Sequence, residues 1–229
     1  MKYHIDTIPV WDAYKAEGEC PLCDLEAQNE QMYVESFLGA SVMEPAVRIE
    51  VNEKGFCGPH FAMMFSQKNR LGLALMTHTH LQESMKSLGG VQPQKKGLFA
   101  KKNSTPDANV GDTCILCERL RTTMDRYLFT VLHLWKTDSA FKAALEGGKG
   151  HCLPHYHKLA QMAAQELPAG QGAEFIAMLD RVQEENMARI EKELEWFTLK
   201  FDYRNADAPW GNSRDAVERA INKLEGKCL

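Results

Sequence analysis

The chain should fold as a mostly α-helical protein of two homologous units, joined by a polar linker and closed by a C-terminal helix. Three observations predict this. A cysteine–histidine pattern is written twice, as Cys20-Pro21-Leu22-Cys23 with Cys57-Gly58-Pro59-His60, then as Cys114-Ile115-Leu116-Cys117 with Cys152-Leu153-Pro154-His155. Cys20 and Cys114 are 94 residues apart and Cys57 and Cys152 are 95 apart, so one inserted residue separates the two copies. Apolar residues recur at three- and four-residue steps through segments free of Gly and Pro. Finally, residues 89–112 are polar and rich in Gly, Pro and Lys, which marks a linker between a first unit at 1–88 and a second at 113–229.

Taken in order, Thr7-Ile8-Pro9 opens a short helix through Tyr14, with proline in its first turn. Residues 24–38 lack Gly and Pro and should be helical, closed by Gly39. For 42–54 two readings stay open: alternating Val47, Ile49 and Val51 suit a short strand, and Glu44-Pro45 suits a helical turn. From His60, an unbroken segment runs to Leu88 with Phe61, Met64, Leu71, Leu75, His78, Leu81, Met85 and Leu88 in one stripe. In the second copy Leu116, Leu120, Met124, Tyr127, Leu128, Val131 and Trp135 define a helix, and 138–146 another. A helix from Pro154 stops near Leu167-Pro168. A long one follows, with Ile176, Leu179, Val182, Ile190, Leu194, Phe197 and Phe201 inward and a glutamate-rich outer face. A last helix, 213–225, ends at Gly226.

The cysteine spacing carries the chemistry. Each Cys-x-x-Cys or Cys-x-x-His pair spans one turn at a helix start, where the backbone amides favour a thiolate. Joining the two pairs of each copy gives two tetrahedral Cys3His sites: Cys20, Cys23, Cys57 and His60, then Cys114, Cys117, Cys152 and His155. Zinc, two ions per chain, is the expected occupant, since such a shell is closed and leaves no open position. An iron–sulfur cluster with one histidine ligand and thiol redox chemistry are the alternatives. His151 and His157 flank the second quartet, although the repeat selects His155. Cys228 is expected to be a free thiol.

Composition narrows the rest. A net charge of −4 argues against nucleic acid as the main partner. No apolar run approaches the roughly 20 residues of a membrane span, and Met1-Lys2-Tyr3-His4-Ile5-Asp6 has no signal-peptide character, so a cytoplasmic protein with reduced thiols is expected. Lys95, Lys96, Lys101 and Lys102 read as a soluble linker. His78 lies on the apolar stripe and reads as a buried, hydrogen-bonded histidine rather than a ligand. No His-Glu-x-x-His, Glu-x-x-His, phosphate loop or Gly-x-Ser-x-Gly is present.

His4-Ile5-Asp6-Thr7-Ile8-Pro9-Val10-Trp11, Cys20-Pro21-Leu22-Cys23, Val47-Arg48-Ile49-Glu50 leading to Gly55-Phe56-Cys57, Lys200-Phe201-Asp202-Tyr203-Arg204-Asn205 and Pro209-Trp210-Gly211 cover most of the chain. In these segments it resembles an uncharacterised bacterial family with a duplicated CPxC…CxxH motif, a domain of unknown function. Some members carry the label of transporter substrate-binding protein. The resemblance implies no established activity. It draws attention to His4, Asp6, Trp11, Asp202, Tyr203, Arg204 and Trp210, which would line a ligand pocket if the termini meet. The other reading is that both tryptophans are packing anchors and that Asp202 and Arg204 form a capping ion pair. The function expected is a zinc-binding module that binds a protein or small-molecule partner or regulates it, rather than an enzyme. An iron–sulfur or thiol-based redox protein, or a small-ligand binder, is the alternative.

Overall fold

The computed structural model describes residues 4–88 and 113–227, without the side chains of His4, Ile5 and Ser87. The expected linker at 89–112, with its lysines, and Cys228 lie outside the described residues. Among the described residues there are ten α-helices and no strand. They divide into two units: unit one comprises 1–28 with 122–229, and unit two comprises 29–121. This division differs from the sequential halves expected, because it falls inside two helices, α2 (Pro21–Leu38) and α6 (Ile115–Thr137).

In unit two, α2 runs into a 3-10 turn (Ala40–Met43) and then α3 (Pro45–Lys54), which settles the open reading of 42–54 as helix. The chain continues through α4 (Gly58–Ser66) and α5 (Arg70–Ser87). The sequence stripe from 61 to 88 is therefore two helices. Gln67–Asn69 breaks it, and the Asn69 side chain caps α5 by accepting from the Gly72 amide at 2.9 Å. Val34, Phe37, Val47, Val51, Phe56, Met64, Leu73 and Met76 form the core, with Ile115 and Leu116 from the start of α6. Phe37 and Phe56 meet edge-to-face at 5.4 Å. The break rephases α5, so His78 is exposed. His80 is the packed histidine instead, its Nδ1 3.0 Å from the Asn52 carbonyl.

In unit one, α1 (His4–Lys15) begins earlier than expected and holds Pro9 inside the helix. The later helices are α7 (Ser139–Glu146), α8 (Leu153–Glu166), α9 (Ala169–Leu199) and α10 (Ala216–Glu225). Asp138 caps α7 through the amides of Ala140 and Phe141. Phe141, Leu159, Phe175 and Leu179 are fully buried, and Trp135 packs edge-to-face on Phe175 at 5.1 Å. Phe175 takes the inward role expected of Phe201, which is 75% exposed beyond the end of α9.

Candidate metal centres

All four half-sites are helix starts. The first ligand of each pair precedes or caps the helix and the second lies one turn in: Cys20 and Cys23 at α2, Cys57 and His60 at α4, Cys114 and Cys117 at α6, Cys152 and His155 at α8. Ncap and N3 side chains of one turn face each other, and the helix dipole favours negative sulfur there. Gly55 and Gly150, two residues ahead of the Cys-x-x-His pairs, have φ of 63° and 74°. Those left-handed turns explain why both copies carry Lys-Gly-x-Cys.

The eight expected ligands gather into two quartets, but not the expected ones. Cys20 and Cys23 meet Cys152 and His155, and Cys57 and His60 meet Cys114 and Cys117. Each copy's Cys-x-x-Cys is completed by the other copy's Cys-x-x-His, and each quartet lies wholly within one unit. Helix length supplies the reason. α2, with 18 residues, carries the chain about 27 Å from its cysteine turn, and the 10-residue α3 returns about 15 Å. In the second copy α6 and α7, with 23 and 8 residues, run about 34 and 12 Å. Neither copy brings its own Cys-x-x-His back to its own cysteines.

The spacing within each quartet is that of ligands around a single ion. In unit one, His155 Nδ1 lies 3.1 Å from Cys152 Sγ, 3.5 Å from Cys23 Sγ and 3.6 Å from Cys20 Sγ, and Cys23 and Cys152 are 3.5 Å apart. In unit two, His60 Nδ1 lies 3.1, 3.3 and 3.4 Å from the sulfurs of Cys57, Cys114 and Cys117, and Cys57 and Cys117 are 3.8 Å apart. Metal–sulfur bonds of ~2.3 Å and metal–nitrogen bonds of ~2.0 Å at tetrahedral angles require roughly 3.8 Å between sulfurs and 3.5 Å from sulfur to nitrogen. The donor sets therefore fit a four-coordinate cation.

Both imidazoles turn Nδ1 to the sulfurs and Nε2 to a carboxylate of α2. His60 Nε2 is 2.9 Å from Glu30 Oε1, while His155 Nε2 is 3.5 Å from Glu26 Oε2, too long for a normal hydrogen bond. At His60 the carboxylate holds the proton on Nε2 and leaves Nδ1 free to ligate. These glutamates were not singled out from the sequence, although Cys23, Glu26 and Glu30 share one helical face.

In the metal-free protein the ligands hold one another's protons. Hydrogen bonding to Cys114, helped by Glu30, raises His60 to about 9 against the opposing effect of burial. Burial works against the ionisation of Cys114, yet bonds from His60 and the Cys117 and Cys57 amides bring it down to about 6. Cys117 is pushed up to about 12 by burial and by its Cys114 neighbour. In unit one burial opposes protonation of His155, but the Cys152 and Cys20 sulfurs still raise it to about 9. Cys20 is held well below the usual thiol range despite burial, by bonds from Cys152, Cys23 and His155. Cys23 is pushed up by its bonds to Cys152 and Cys20.

The unit-one centre is locked from behind. Gln183 of α9 brackets the His151 backbone, its Oε1 accepting from the amide at 3.0 Å and its Nε2 donating to the carbonyl at 2.9 Å. Lys223 of α10, 1% exposed, donates to the carbonyls of Glu19 and Lys149, one ahead of each half-site. Glu19 in turn bonds Arg189 at 2.6 Å. Gly226, at φ 93°, ends α10 against the centre: a Cβ there would lie 3.9 Å from the sulfurs of both Cys23 and Cys152. His151 is not part of the quartet. Its Nε2 is 2.8 Å from the Tyr14 hydroxyl, and burial pulls it down to about 4. His157 meets the Tyr156 ring edge-to-face at 5.1 Å.

Five of the seven pocket candidates have other partners. The side chain of His4 lies outside the described residues. Asp6 pairs with Arg126 at 3.4 Å, and Trp11 packs on Phe141 and donates to Asp138. Asp202 caps and pairs with Arg204, Tyr203 is 87% exposed, and Trp210 packs on Phe197 and under Lys200. A cleft of about 350 Å³ does lie beside the unit-one centre, lined by Tyr14, Gly18, Pro21, Gly148 and His151 among others, and it includes none of the seven.

No helix among the described residues is long and apolar enough to cross a membrane. Comparison with curated proteins and comparison with solved structures each return no match. A family model described as "Family of unknown function (DUF6062)" matches residues 1–229. With the match running the whole length of the chain and through both cysteine–histidine centres, this protein belongs to the DUF6062 family.

Proposed function

We propose that the protein is a cytosolic zinc-binding helical module. It holds two zinc ions per chain in closed structural shells, and it binds a protein or small-molecule partner or regulates it rather than catalysing a reaction. One observation carries this reading: each centre has four protein donors at single-ion spacing, with no place kept for water or substrate. A multi-iron cluster spreads its four ligands over at least two irons, so some ligand pairs stand farther apart than the 4.8 Å within which all four donors of each quartet lie here. Zinc, when bound, supplies cross-linking of two helix starts and no redox chemistry. The side chains of this protein set the charge and the tautomer, with three thiolates per ion and the Glu30 carboxylate holding the His60 imidazole.

Elemental analysis of protein purified without oxygen tests the proposal. About two zinc per chain is the expected result, together with a cobalt-substituted form whose tetrahedral thiolate spectrum is unmoved by added azide. Iron with inorganic sulfide and visible absorption would replace the reading with a redox protein. A cobalt spectrum that responds to azide would replace it with an open, catalytic site.

A further inference from the structure

The helix α5 is apolar on two opposite faces, and unit two buries only one. Gly72, Leu73 and Met76 face the core, and His80 faces α3. Directly across the helix, Leu71, Ala74, His78, Leu81 and Met85 follow one another at steps of 3, 4, 3 and 4, and Leu88 continues the spacing just past the helix end. That is the a/d repeat of a helix seam. All of these positions are exposed, Leu71 at 71%, Leu81 at 56%, Met85 at 60% and Leu88 at 76%. A helix with apolar residues on both sides is normally covered on both. The exposed stripe amounts to on the order of 400 Å² of apolar surface, the size at which a patch marks an interaction site.

We infer that α5 is the contact by which the protein pairs with a second copy of itself, seam against seam. The flanks favour this occupant. Leu75, Thr77, Gln82 and Ser84 border the stripe and carry no charge, so an isologous contact brings no like charges together. Arg70, at the first flanking position, is held over the Phe65 ring, and Glu83 pairs with Lys86 off the seam. A different partner helix is normally selected by charges at these flanking positions, and a lipid surface by a row of Lys and Arg; neither is there. His78 is the one polar side chain on the seam and sets its register, as a single polar core position does in coiled coils. Packing against α3 already holds α5 helical, so a seam of about two and a half heptads needs no nucleation of its own. Two such faces bury roughly 800 Å², below the size of a standard stable interface, so the pairing is of the weak, transient class. The inference does not depend on which metal the centres hold.

Sedimentation velocity of the full, metal-loaded chain from about 1 to about 200 μM tests it. The weight-average mass should rise from 25.9 kDa towards twice that value. Leu81→Glu and Met85→Glu should each weaken dimerisation at least tenfold with metal content and thermal midpoint unchanged, because both side chains face solvent in the single chain. Leu224→Glu, at an exposed side chain of α10, should leave it intact. A chain that stays at 25.9 kDa throughout, as it would if another segment or a different partner covered the seam, overturns the inference. So does dimerisation that survives both α5 changes or that Leu224→Glu abolishes.

Discussion

The unit-one centre is buried at all four ligands, whereas Cys117 of the unit-two centre is exposed and Cys57 is half-buried. Their supports differ in kind. In unit two the halves are tied directly: the Ile115 amide donates to the Gly55 carbonyl at 3.1 Å, the Thr113 hydroxyl to the Lys54 carbonyl at 2.9 Å, and Lys54 pairs with Glu118. In unit one a direct bond, from Lys149 Nζ to the Glu17 carbonyl at 2.7 Å, is joined by a third party: Lys223, from a helix far along the chain, bridges the carbonyls of Glu19 and Lys149, while Gln183 braces the His151 backbone alone. One ligand scheme is thus used twice with different enclosure, and the more open copy should exchange its ion first when a chelator is added.

The largest effect expected comes from testing the pairing. Cys20→Ser with Cys152→Ser should remove one ion per chain, while Cys20→Ser with Cys57→Ser should remove both. Each lost ion should cost on the order of 10 kcal/mol of folding free energy, read by metal content and chemical denaturation. Were each copy to close on itself, the two double variants would exchange behaviours.

Lys223→Met should separate the two centres. It leaves the carbonyls of Glu19 and Lys149 without their buried donor, and should cost about 2–4 kcal/mol. Under a chelator, metal should leave the unit-one centre faster while the unit-two centre is unchanged. Equal loss from both would show that the clamp is not local.

Smaller effects are expected at the imidazoles. Glu30→Gln should weaken metal affinity of the unit-two centre by about 10- to 100-fold. Glu26→Gln should do less at the unit-one centre, since its oxygen stands 3.5 Å from His155 rather than at hydrogen-bond length. Competition titration against a chromophoric chelator reads both.

The mildest test is pH. Without metal, His60 and His155 are held to about 9, above the ordinary value near 6.5, so at neutral pH each carries a proton that a metal must displace. Affinity should rise as pH climbs from 7 towards about 9 and fall on acidification. At the unit-two centre Cys117, pushed up to about 12, adds a second proton, whereas Cys114, near 6, is already a thiolate. Calorimetry in buffers of different ionisation enthalpy counts the protons released.

Much of the helical layout was legible because it is local. Gly and Pro punctuation, the Asp138 cap and the apolar stripe of α6 each act within a few residues. Ser66-Gln67-Lys68-Asn69 is a weak local signal inside the apolar stripe from Phe61 to Leu88, and the stripe does not show the break between α4 and α5. The cap at Asn69 instead turned Leu71, Leu81 and Met85 outward and left His78 exposed. Lys223 had no readable signal, for a lysine on an amphipathic helix looks the same whether it ends in water or on two buried carbonyls.

By itself the sequence determined which eight side chains are the candidate ligands and that each pair sits at a helix start, because a Cys-x-x-Cys or Cys-x-x-His turn is closed by neighbours three residues apart. Only the tertiary structure decided which pairs meet. That choice depends on how far α2 and α6 carry the chain before α3 and α7 turn back, a length set by whole helices rather than by any residue in the motif.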